Sequence, residues 1–182
     1  MIRTALWIAG GMLLGLVIHI AVILVLPLFA VNDAWSRVAA LDALNRTLVL
    51  PAVAAGAPNP FALDPELAYG LCRIDLAAAP GVVSGTLPDA FWSVAVFNRS
   101  GAVIYSTTNR DGIGQTLDLG IFNPSQTRLL SEQRIQIAEG LLIVEAPSND
   151  VFVLVRLAPP YPALRARYER ALGELVCGNI GQ

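Results

Sequence analysis

The chain has 182 residues, of which 55% are hydrophobic and 14% are charged, and its formal net charge is −2. This composition is too apolar for an ordinary cytosolic domain and indicates membrane association. The sequence has no basic block and no basic patch interleaved with aromatic residues, so we expect no nucleic-acid partner. All 12 basic residues are Arg, which excludes catalysis by a lysine Schiff base or a lysine general base.

The N-terminal stretch, residues 5–28, contains no formally charged residue and would be about 36 Å long as a helix. That length crosses a bilayer with some tilt. A cleaved signal peptide is the alternative, but its apolar region is only about 7–15 residues long, and Leu28 stands where cleavage favours a small residue. We therefore predict an uncleaved transmembrane anchor over residues 1–31. Trp7 and Trp35 could mark its two interfaces, although Trp35 could equally pack on the soluble domain.

One face of this predicted helix carries Gly11, Gly15 and His19, each four residues after the last. Small residues at this spacing let two helices approach closely, so we expect a helix–helix contact with a membrane-protein partner or with a second copy of the chain. His19 would then make a hydrogen bond between the helices. The alternatives for His19 are a side chain that only faces lipid or the interface and a haem axial ligand shared across a dimer. The lipid bilayer is the other expected partner of this segment.

Charges beside the anchor leave its orientation open. Arg3 and the amino terminus lie on one side, whereas Arg37 and Arg46 lie on the other, accompanied by Asp33 and Asp42. The positive-inside rule does not decide between the two orientations.

The two cysteines, Cys72 and Cys177, both follow the anchor. An even pair in an exported domain predicts a disulfide, whereas two unpaired buried thiols would fit a cytosolic domain. We favour the disulfide and therefore expect the soluble part to be exported. The bond would tie the closing helix, at whose end we place Cys177, to the first strands of a sheet.

Residues 32–58 follow the anchor and divide into two parts. Asn32 or Asp33 could cap a juxtamembrane helix that ends before Pro51. Its apolar residues recur at helical spacing, at Trp35, Val38, Ala39 and Leu41. A connector rich in Pro, Gly and Ala follows, and we place the boundary of the exported domain, residues 59–182, near Pro58.

From residue 67 onward, short β-prone runs alternate with Pro, Gly, Asn and Asp. These runs are LAYGLCRIDL, GVVSGTL, FWSVAVF, AVIYSTT, LLIVEA and VFVLVRL. Residues 98–101 supply turn chemistry for a hairpin between two of them, because Gly101 can adopt a positive φ. In the first hairpin strand Trp92, Val94 and Val96 share one face and other apolar residues occupy the opposite face, which is typical of a central strand.

The last segment predicts an amphipathic C-terminal helix. Its apolar residues recur at helical spacing, at Leu164, Tyr168, Leu172 and Leu175. We expect its arginines to face solvent, with binding of an anion or a partner as the alternative; they are Arg165, Arg167 and Arg170. The predicted fold class is therefore α+β: a single N-terminal transmembrane helix, then an antiparallel β-sheet or sandwich-like domain with a C-terminal amphipathic helix.

Several motifs occur in a recognisable order: the membrane helix, an NDAWSR helix, a Cys-Arg-x-Asp strand, a Leu-Pro-Asp-x-Phe-Trp-Ser strand and a second Cys near the end. In this order and wording the chain resembles the bacterial membrane-anchored relatives of the domain-of-unknown-function families numbered 1254 and 1214. The resemblance implies an α+β domain with a β-sandwich-like core in a proteobacterial inner membrane, often beside a related membrane protein. It implies no established activity and no catalytic residues. The chain is shorter than the two-domain members, so the resemblance does not extend to a pocket between domains.

Catalytic chemistry is restricted because no histidine follows the anchor. Ser–His and Cys–His pairs and histidine metal sites are thereby excluded from the soluble part, and a disulfide would remove the thiols. One possible polar cluster remains, in which two carboxylates could perform acid–base chemistry or bind a hard cation: Asn109, Arg110, Asp111 and Asp118. Turn formation is the alternative for these residues. We predict no catalytic residue, no metal and no cofactor, and we favour a role other than an enzyme.

Together these features predict a single-pass inner-membrane protein with a periplasmic domain, acting as an accessory or interaction module for a membrane partner. A periplasmic domain that binds or senses a small ligand is the alternative, and a hydrolase that uses carboxylates is a third class. An accessory module predicts a co-purifying partner and no deep pocket. A binder predicts an apolar cavity with a few converging polar groups.

Overall fold

The computed structural model describes residues 2–26, 34–111, 114–133 and 140–181, so the predicted capping residues Asn32 and Asp33 lie outside the described residues. The chain divides into two compact units, Met1–Asp33 and Ala34–Gln182. In the first unit, helix α1 (Ile2–Val25) runs for 24 residues and buries none of them. Among the described helices α1 is the one long and apolar enough to cross a membrane, a test that an N-terminal signal sequence also passes.

The second unit contains two β-sheets that share one core, so the α+β prediction is confirmed. The five-stranded sheet, order β1-β2-β8-β4-β5, is antiparallel throughout. It consists of β1 (Leu48–Val49), β2 (Ala68–Asp75), β4 (Trp92–Asn98), β5 (Val103–Thr108) and β8 (Asp150–Leu157). The four-stranded sheet, order β7-β6-β3-β9, has one parallel pair, β6 with β7. It consists of β3 (Gly81–Thr86), β6 (Thr116–Phe122), β7 (Leu142–Glu145) and β9 (Val176–Asn179).

Three helices accompany the sheets: α2 (Ala34–Ala39), α3 (Pro124–Gln133) and α4 (Arg165–Gly173). Helix α4 packs its buried Tyr168 and Leu172 against the core, as the helical spacing predicts. Gly70 of β2 makes room for this contact, because a Cβ atom there would lie 3.1 Å from Cδ2 of Leu172. A Cβ atom at this position would require the Leu172 side chain to shift by a few tenths of an ångström.

The predicted hairpin is confirmed as β4 and β5, which pair antiparallel with a bulge at Val96 and Phe97. Gly101 closes the turn with φ +79°, a conformation that L residues with a side chain rarely adopt. Strand β4 lies between β8 and β5, so it is a central strand as predicted. Its residues Trp92, Val94 and Val96 are completely buried between the two sheets.

A second, smaller apolar cluster covers the opposite face of the five-stranded sheet. Its buried members come from α2, from the loop and β1 region after it, and from strands β2 and β8: Val38, Ala43, Leu50, Tyr69, Leu71 and Phe152. The cluster has six buried members, whereas eight apolar side chains packed against it are only partly buried: Trp35, Leu41, Leu48, Phe61, Leu63, Leu67, Phe97 and Leu154. The layer formed by α2 and residues 51–67 is therefore packed less completely than the core between the sheets.

The end of the chain differs from the sequence-based expectation. Helix α4 ends at Gly173, and Cys177 lies in strand β9 rather than at the end of a helix. The four residues of β9 pair antiparallel with β3, so sheet hydrogen bonds replace a further helical turn. The apolar spacing predicted a longer helix because Leu175 continues the helical period of Leu172, whereas strand pairing with residues nearly 100 positions earlier leaves no local signal.

Candidate functional site

The disulfide between Cys72 and Cys177 is present, so the predicted pairing is confirmed. Cys72 belongs to β2 of the five-stranded sheet and Cys177 to β9 of the four-stranded sheet, so the bond links the two sheets. The Cα atoms are 6.4 Å apart although 105 residues separate the two cysteines in sequence. This spacing lies within the range that disulfides span without backbone movement.

Hydrogen bonds hold the chain on both sides of the disulfide. The hydroxyl of Thr47 donates to the carbonyl of Leu175 at 2.9 Å, just before β9. After it, Nδ2 of Asn179 donates to the carbonyls of Asp75 at 2.8 Å and Ala79 at 2.7 Å. Both cysteines are buried, so reductants in solution reach the bond poorly. The burial and these hydrogen bonds are typical of a structural crosslink.

The predicted polar cluster is split between the two sheets. Asp111 stands at the end of β5, where its Oδ2 accepts hydrogen bonds from the Thr107 hydroxyl at 2.8 Å, the Thr108 amide at 2.7 Å and the Thr108 hydroxyl at 3.1 Å. These bonds favour the carboxylate and hold the pKa of Asp111 below its usual value, the Thr108 amide contributing most. Asp118 lies in β6 of the other sheet, opposite Ser84 of β3.

The remaining two members of the cluster stay in the turn that follows β5. Nδ2 of Asn109 donates to the carbonyl of Ala90 at 3.1 Å, and the amide of Arg110 donates to the Thr108 hydroxyl at 3.3 Å. This arrangement closes a turn. In the described part of the chain, no three His, Cys, Asp or Glu side chains are placed to hold a metal ion together.

The residues of the predicted helix–helix contact lie on α1. A Cβ atom added at Gly11 or Gly15 would meet no atom within 4 Å, so this face of α1 is open in the unit that contains it. His19 lies one helical turn beyond Gly15 on the same helix. A contact between this stripe and another helix therefore stays a prediction.

The arginines of α4 differ in their surroundings. Arg165 makes contacts within the domain: it forms an ion pair with Glu169 at 3.0 Å and donates to the carbonyls of Pro65 and Leu67. Arg167 and Arg170 line an open polar groove of about 570 Å³ together with acidic side chains. Two arginines therefore face solvent, as the sequence predicts, and Arg165 fastens α4 to the start of β2.

Sequence reasoning missed an apolar groove under the layer that covers the five-stranded sheet. We call it the α2 groove; its volume is about 210 Å³, and its lining residues are Ala34, Arg37, Val38, Leu50, Phe61, Leu63, Leu71, Phe97, Gly101, Phe152 and Leu154. A second apolar pocket of about 220 Å³ adjoins it under residues 51–60 and shares Leu50, Phe61 and Leu63 with it. The alternating apolar residues on both faces of β4 were the available signal, since they require a second covering layer.

Trp35 beside this groove packs on the domain, which is one of the two alternatives that its position suggested. Its ring centroid lies 6.2 Å from that of Phe152, which is stacked on Phe97 at 4.7 Å. The guanidinium carbons of Arg73 and Arg99 each lie 5.9 Å from the Trp35 ring centroid. Two cations therefore flank one indole ring at the edge of the apolar layer.

No family model matches the chain, and no curated protein matches it. The VPA0106 protein from Vibrio parahaemolyticus has a similar structure, with a TM-score of 0.50 and 12% sequence identity over 65% of this chain and 29% of that protein. An uncharacterised protein from Burkholderia cenocepacia aligns with a TM-score of 0.42 and 15% identity over 65% of this chain and 33% of that protein. The chain thus spans about a third of each of these proteins, and the likeness to VPA0106 concerns the fold.

Proposed function

We propose that this chain is a single-pass protein of a bacterial inner membrane whose sandwich domain lies in the periplasm and serves as an accessory or interaction module for a membrane partner. The observation that carries the proposal is the buried disulfide between Cys72 and Cys177 in a domain preceded by an exposed apolar helix. Reducing cytosol seldom permits such a structural disulfide, whereas the periplasm forms and keeps it.

The composition and exposure of α1 support the membrane part of the proposal. A core helix would bury its apolar residues in the protein, but α1 buries none, and Ile2, Trp7 and Met12 are each more than 70% exposed. A 24-residue apolar helix matches the thickness of a bilayer. The open face of Gly11 and Gly15 supports an interaction within the membrane, because small residues let two helix backbones approach and pack closely there.

Two measurements on the full-length protein test this proposal. Intact mass after alkaline carbonate extraction should show an uncleaved chain in the membrane pellet. A bacterial alkaline phosphatase fused after the last residue should be active, because that enzyme needs periplasmic oxidation. A cleaved chain in the supernatant, or an inactive phosphatase on a stable fusion, would contradict the anchor or the periplasmic location.

Purification in mild detergent tests the accessory role. A membrane protein should co-purify with the wild-type chain and with Gly10→Ile, which alters a different face of α1, but not with the double variant Gly11→Ile and Gly15→Ile. If no membrane protein depends on the stripe in this comparison, the accessory role is wrong.

A domain that binds or senses a small ligand is the second candidate function, and the α2 groove favours it. The groove combines an apolar lining with a single charged residue, Arg37, which is the composition expected of a ligand site. Its volume of about 210 Å³ is below the range of about 300–1,000 Å³ for drug-sized ligands, so a slender ligand would suit it best.

We also propose kinship with the membrane-anchored relatives of the families numbered 1254 and 1214. The Cys-Arg-x-Asp motif, which lies in β2, and the second cysteine, which lies in β9, support it. A solved structure of one such relative should superpose these two strands and join its corresponding cysteines. Different sheets or unpaired cysteines in that relative would remove the support.

A further inference from the structure

The α2 groove lies between an apolar floor on the five-stranded sheet and an incompletely packed cover. Leu71, Phe152 and Leu154 project from adjacent strands β2 and β8 to form the floor, and Phe97 of β4 is stacked on Phe152. Helix α2 and residues 51–67 form the cover, in which Phe61 and Leu63 are only partly buried. Together with its adjoining pocket, the groove is several times larger than the roughly 30 Å³ that a water molecule occupies, and its apolar lining offers water few partners.

Arg37 stands between the two parts of the cover. Its Nη1 donates to the carbonyl of Pro60 at 2.9 Å, so the side chain reaches from α2 to the connector. A guanidinium has five N–H donors, and this bond uses one of them. Among the described residues Arg37 has this one hydrogen-bond partner, so its other donors can meet an anion beside the apolar groove.

The surroundings of the groove are rich in cations. Arg73 pairs in register with Phe152 of the floor, and its buried Nε has no hydrogen-bond partner among the residues that the structure describes. Arg99 lies in the same hairpin turn that supplies Gly101 to the lining, and it is paired with Asp150 at 3.0 Å. Three guanidinium groups thus lie near this region, and one of them, Arg99, is paired with Asp150.

We propose that the α2 groove binds a single-chain anionic amphiphile derived from membrane lipid, with the acyl chain in the groove and the carboxylate or phosphate head on Arg37. The groove and the adjoining pocket share Leu50, Phe61 and Leu63, so together they offer a flexible hydrocarbon chain two adjacent apolar spaces of about 210 and 220 Å³. The guanidinium of Arg37 in the lining of the groove favours a negative head group. Residues 26–33 are all that separates α2 in sequence from α1, so the bilayer is the source of amphiphile that the proposed anchoring supplies.

The test uses 12-bromododecanoate as the probe and the fluorescence of Trp35 as the signal. Bromine quenches indole fluorescence at short range, and Trp35 lies beside Phe152 of the groove floor. The full-length protein carries Trp7→Phe to remove the signal from α1 and is placed in phosphatidylcholine nanodiscs. Trp92 is completely buried between the sheets and serves as the unquenched reference. We expect saturable quenching of Trp35 by the acid and much weaker quenching by 12-bromododecan-1-ol.

Matched variants separate the groove from the lipid phase. Ala34→Phe should fill the groove and abolish saturable quenching, whereas Ala40→Phe, at an exposed position outside the lining, should behave as wild type. Arg37→Gln should weaken the apparent affinity about tenfold, Arg37→Lys should restore most of it, and Arg46→Gln should have no effect. Near-ultraviolet circular dichroism confirms that each variant keeps the packing of the sandwich.

Equal quenching in Ala34→Phe and Ala40→Phe would show that the probe only partitions into lipid, and would overturn the proposal. Equal affinity for the acid and the alcohol would overturn the role of Arg37. A third outcome is that the wild-type chain does not bind the probe but binds a protein partner that Ala34→Phe loses. That result would show that the groove holds a protein segment and not an amphiphile, and would overturn the proposal. The inference relies on the proposed function only for the source of the ligand: failed anchoring would appear in the carbonate extraction, whereas binding is measured here independently.

Discussion

Cys72 and Cys177 connect the two sheets of the sandwich, at a Cα–Cα distance of 6.4 Å and a sequence separation of 105 residues. The bond closes a loop that contains most strands of both sheets, so it restricts the unfolded chain far more than a short crosslink would. In the chain-entropy model a loop of this length is worth about 4–5 kcal/mol, which is an upper figure.

Replacing both cysteines by alanine should therefore lower the free energy of unfolding of the domain by about 2–5 kcal/mol. Urea titration of the full-length protein in mild detergent, followed by tryptophan fluorescence, measures this change. The wild-type protein treated with reductant while unfolded is the control and should lose a similar amount. A change within about 0.5 kcal/mol would show that the bond contributes little to stability.

The oxidation state in cells is a separate prediction. Protein alkylated at harvest and analysed by mass spectrometry without reduction should carry no alkyl group on Cys72 or Cys177, because both sulfur atoms are in the disulfide. Reduction before alkylation is the control and should add two groups. Two alkylated thiols in the unreduced sample would contradict both the bond in cells and the main support for export.

Asp111→Asn should destabilise the domain at neutral pH and lose this effect in acid. Hydrogen bonds from Thr107 and Thr108 lower the pKa of Asp111 in the folded state, so the carboxylate stabilises the fold above its unfolded pKa of about 3.9. That contribution disappears as the pH falls through the lower, folded pKa. Unfolding curves of both proteins between neutral pH and pH about 3 measure the difference. Asp89→Asn, at an exposed carboxylate outside this turn, controls for the loss of one charge. A difference that grows in acid would be inconsistent with this account.

The contact between α4 and the sheet should be sensitive to Leu172. This side chain is completely buried over Gly70, so Leu172→Ala should lower the free energy of unfolding by about 2–5 kcal/mol through lost burial and a cavity. Leu129→Ala on α3 is the matched control, because Leu129 is 52% exposed and should change stability by less than about 0.5 kcal/mol. Similar losses for both variants would mean that α4 is not docked as described.

The glycine stripe of α1 predicts association between membrane helices. Changing Gly11 and Gly15 together to Ile should weaken self-association in a membrane two-hybrid assay, because the larger side chains keep two backbones apart. His19→Leu should weaken it less, since close packing would remain. Gly10→Ile is the control on a different face of the helix. If the double glycine variant associates as strongly as the wild type, Gly11 and Gly15 do not mediate the contact between helices.

Patterns within a few neighbouring residues were sufficient to predict the helices and the hairpin that depend on residues close together in the chain. An uninterrupted apolar run predicts α1, and the turn at Gly101 between two β-prone runs predicts the β4–β5 hairpin, because both depend on residues close together in the chain. The same holds for Tyr168 and Leu172, whose spacing places both on the buried face of α4.

Elements without a strong period of their own were missed. Strand β6 contains Asp118 and Gly120 among its apolar residues, and α3 is polar, so the sequence pattern predicts neither element. The α2 groove was missed for a related reason: residues 51–60 have no regular structure, and only their packing on the five-stranded sheet encloses a cavity.

Helix and turn preferences act over a few residues, so an apolar helix, a hairpin, a set of short strands and a pair of cysteines can be predicted from local patterns. That Cys177 belongs to a strand depends on the folded domain, since β9 is defined by hydrogen bonds to β3, far away in the chain. The packing also places Asp111 and Asp118, close in sequence, on different sheets: Asp111 follows β5, whereas Asp118 lies within β6. Strand pairing and the assignment of strands to sheets depend on which distant residues meet, and that information lies in the packing of the whole domain.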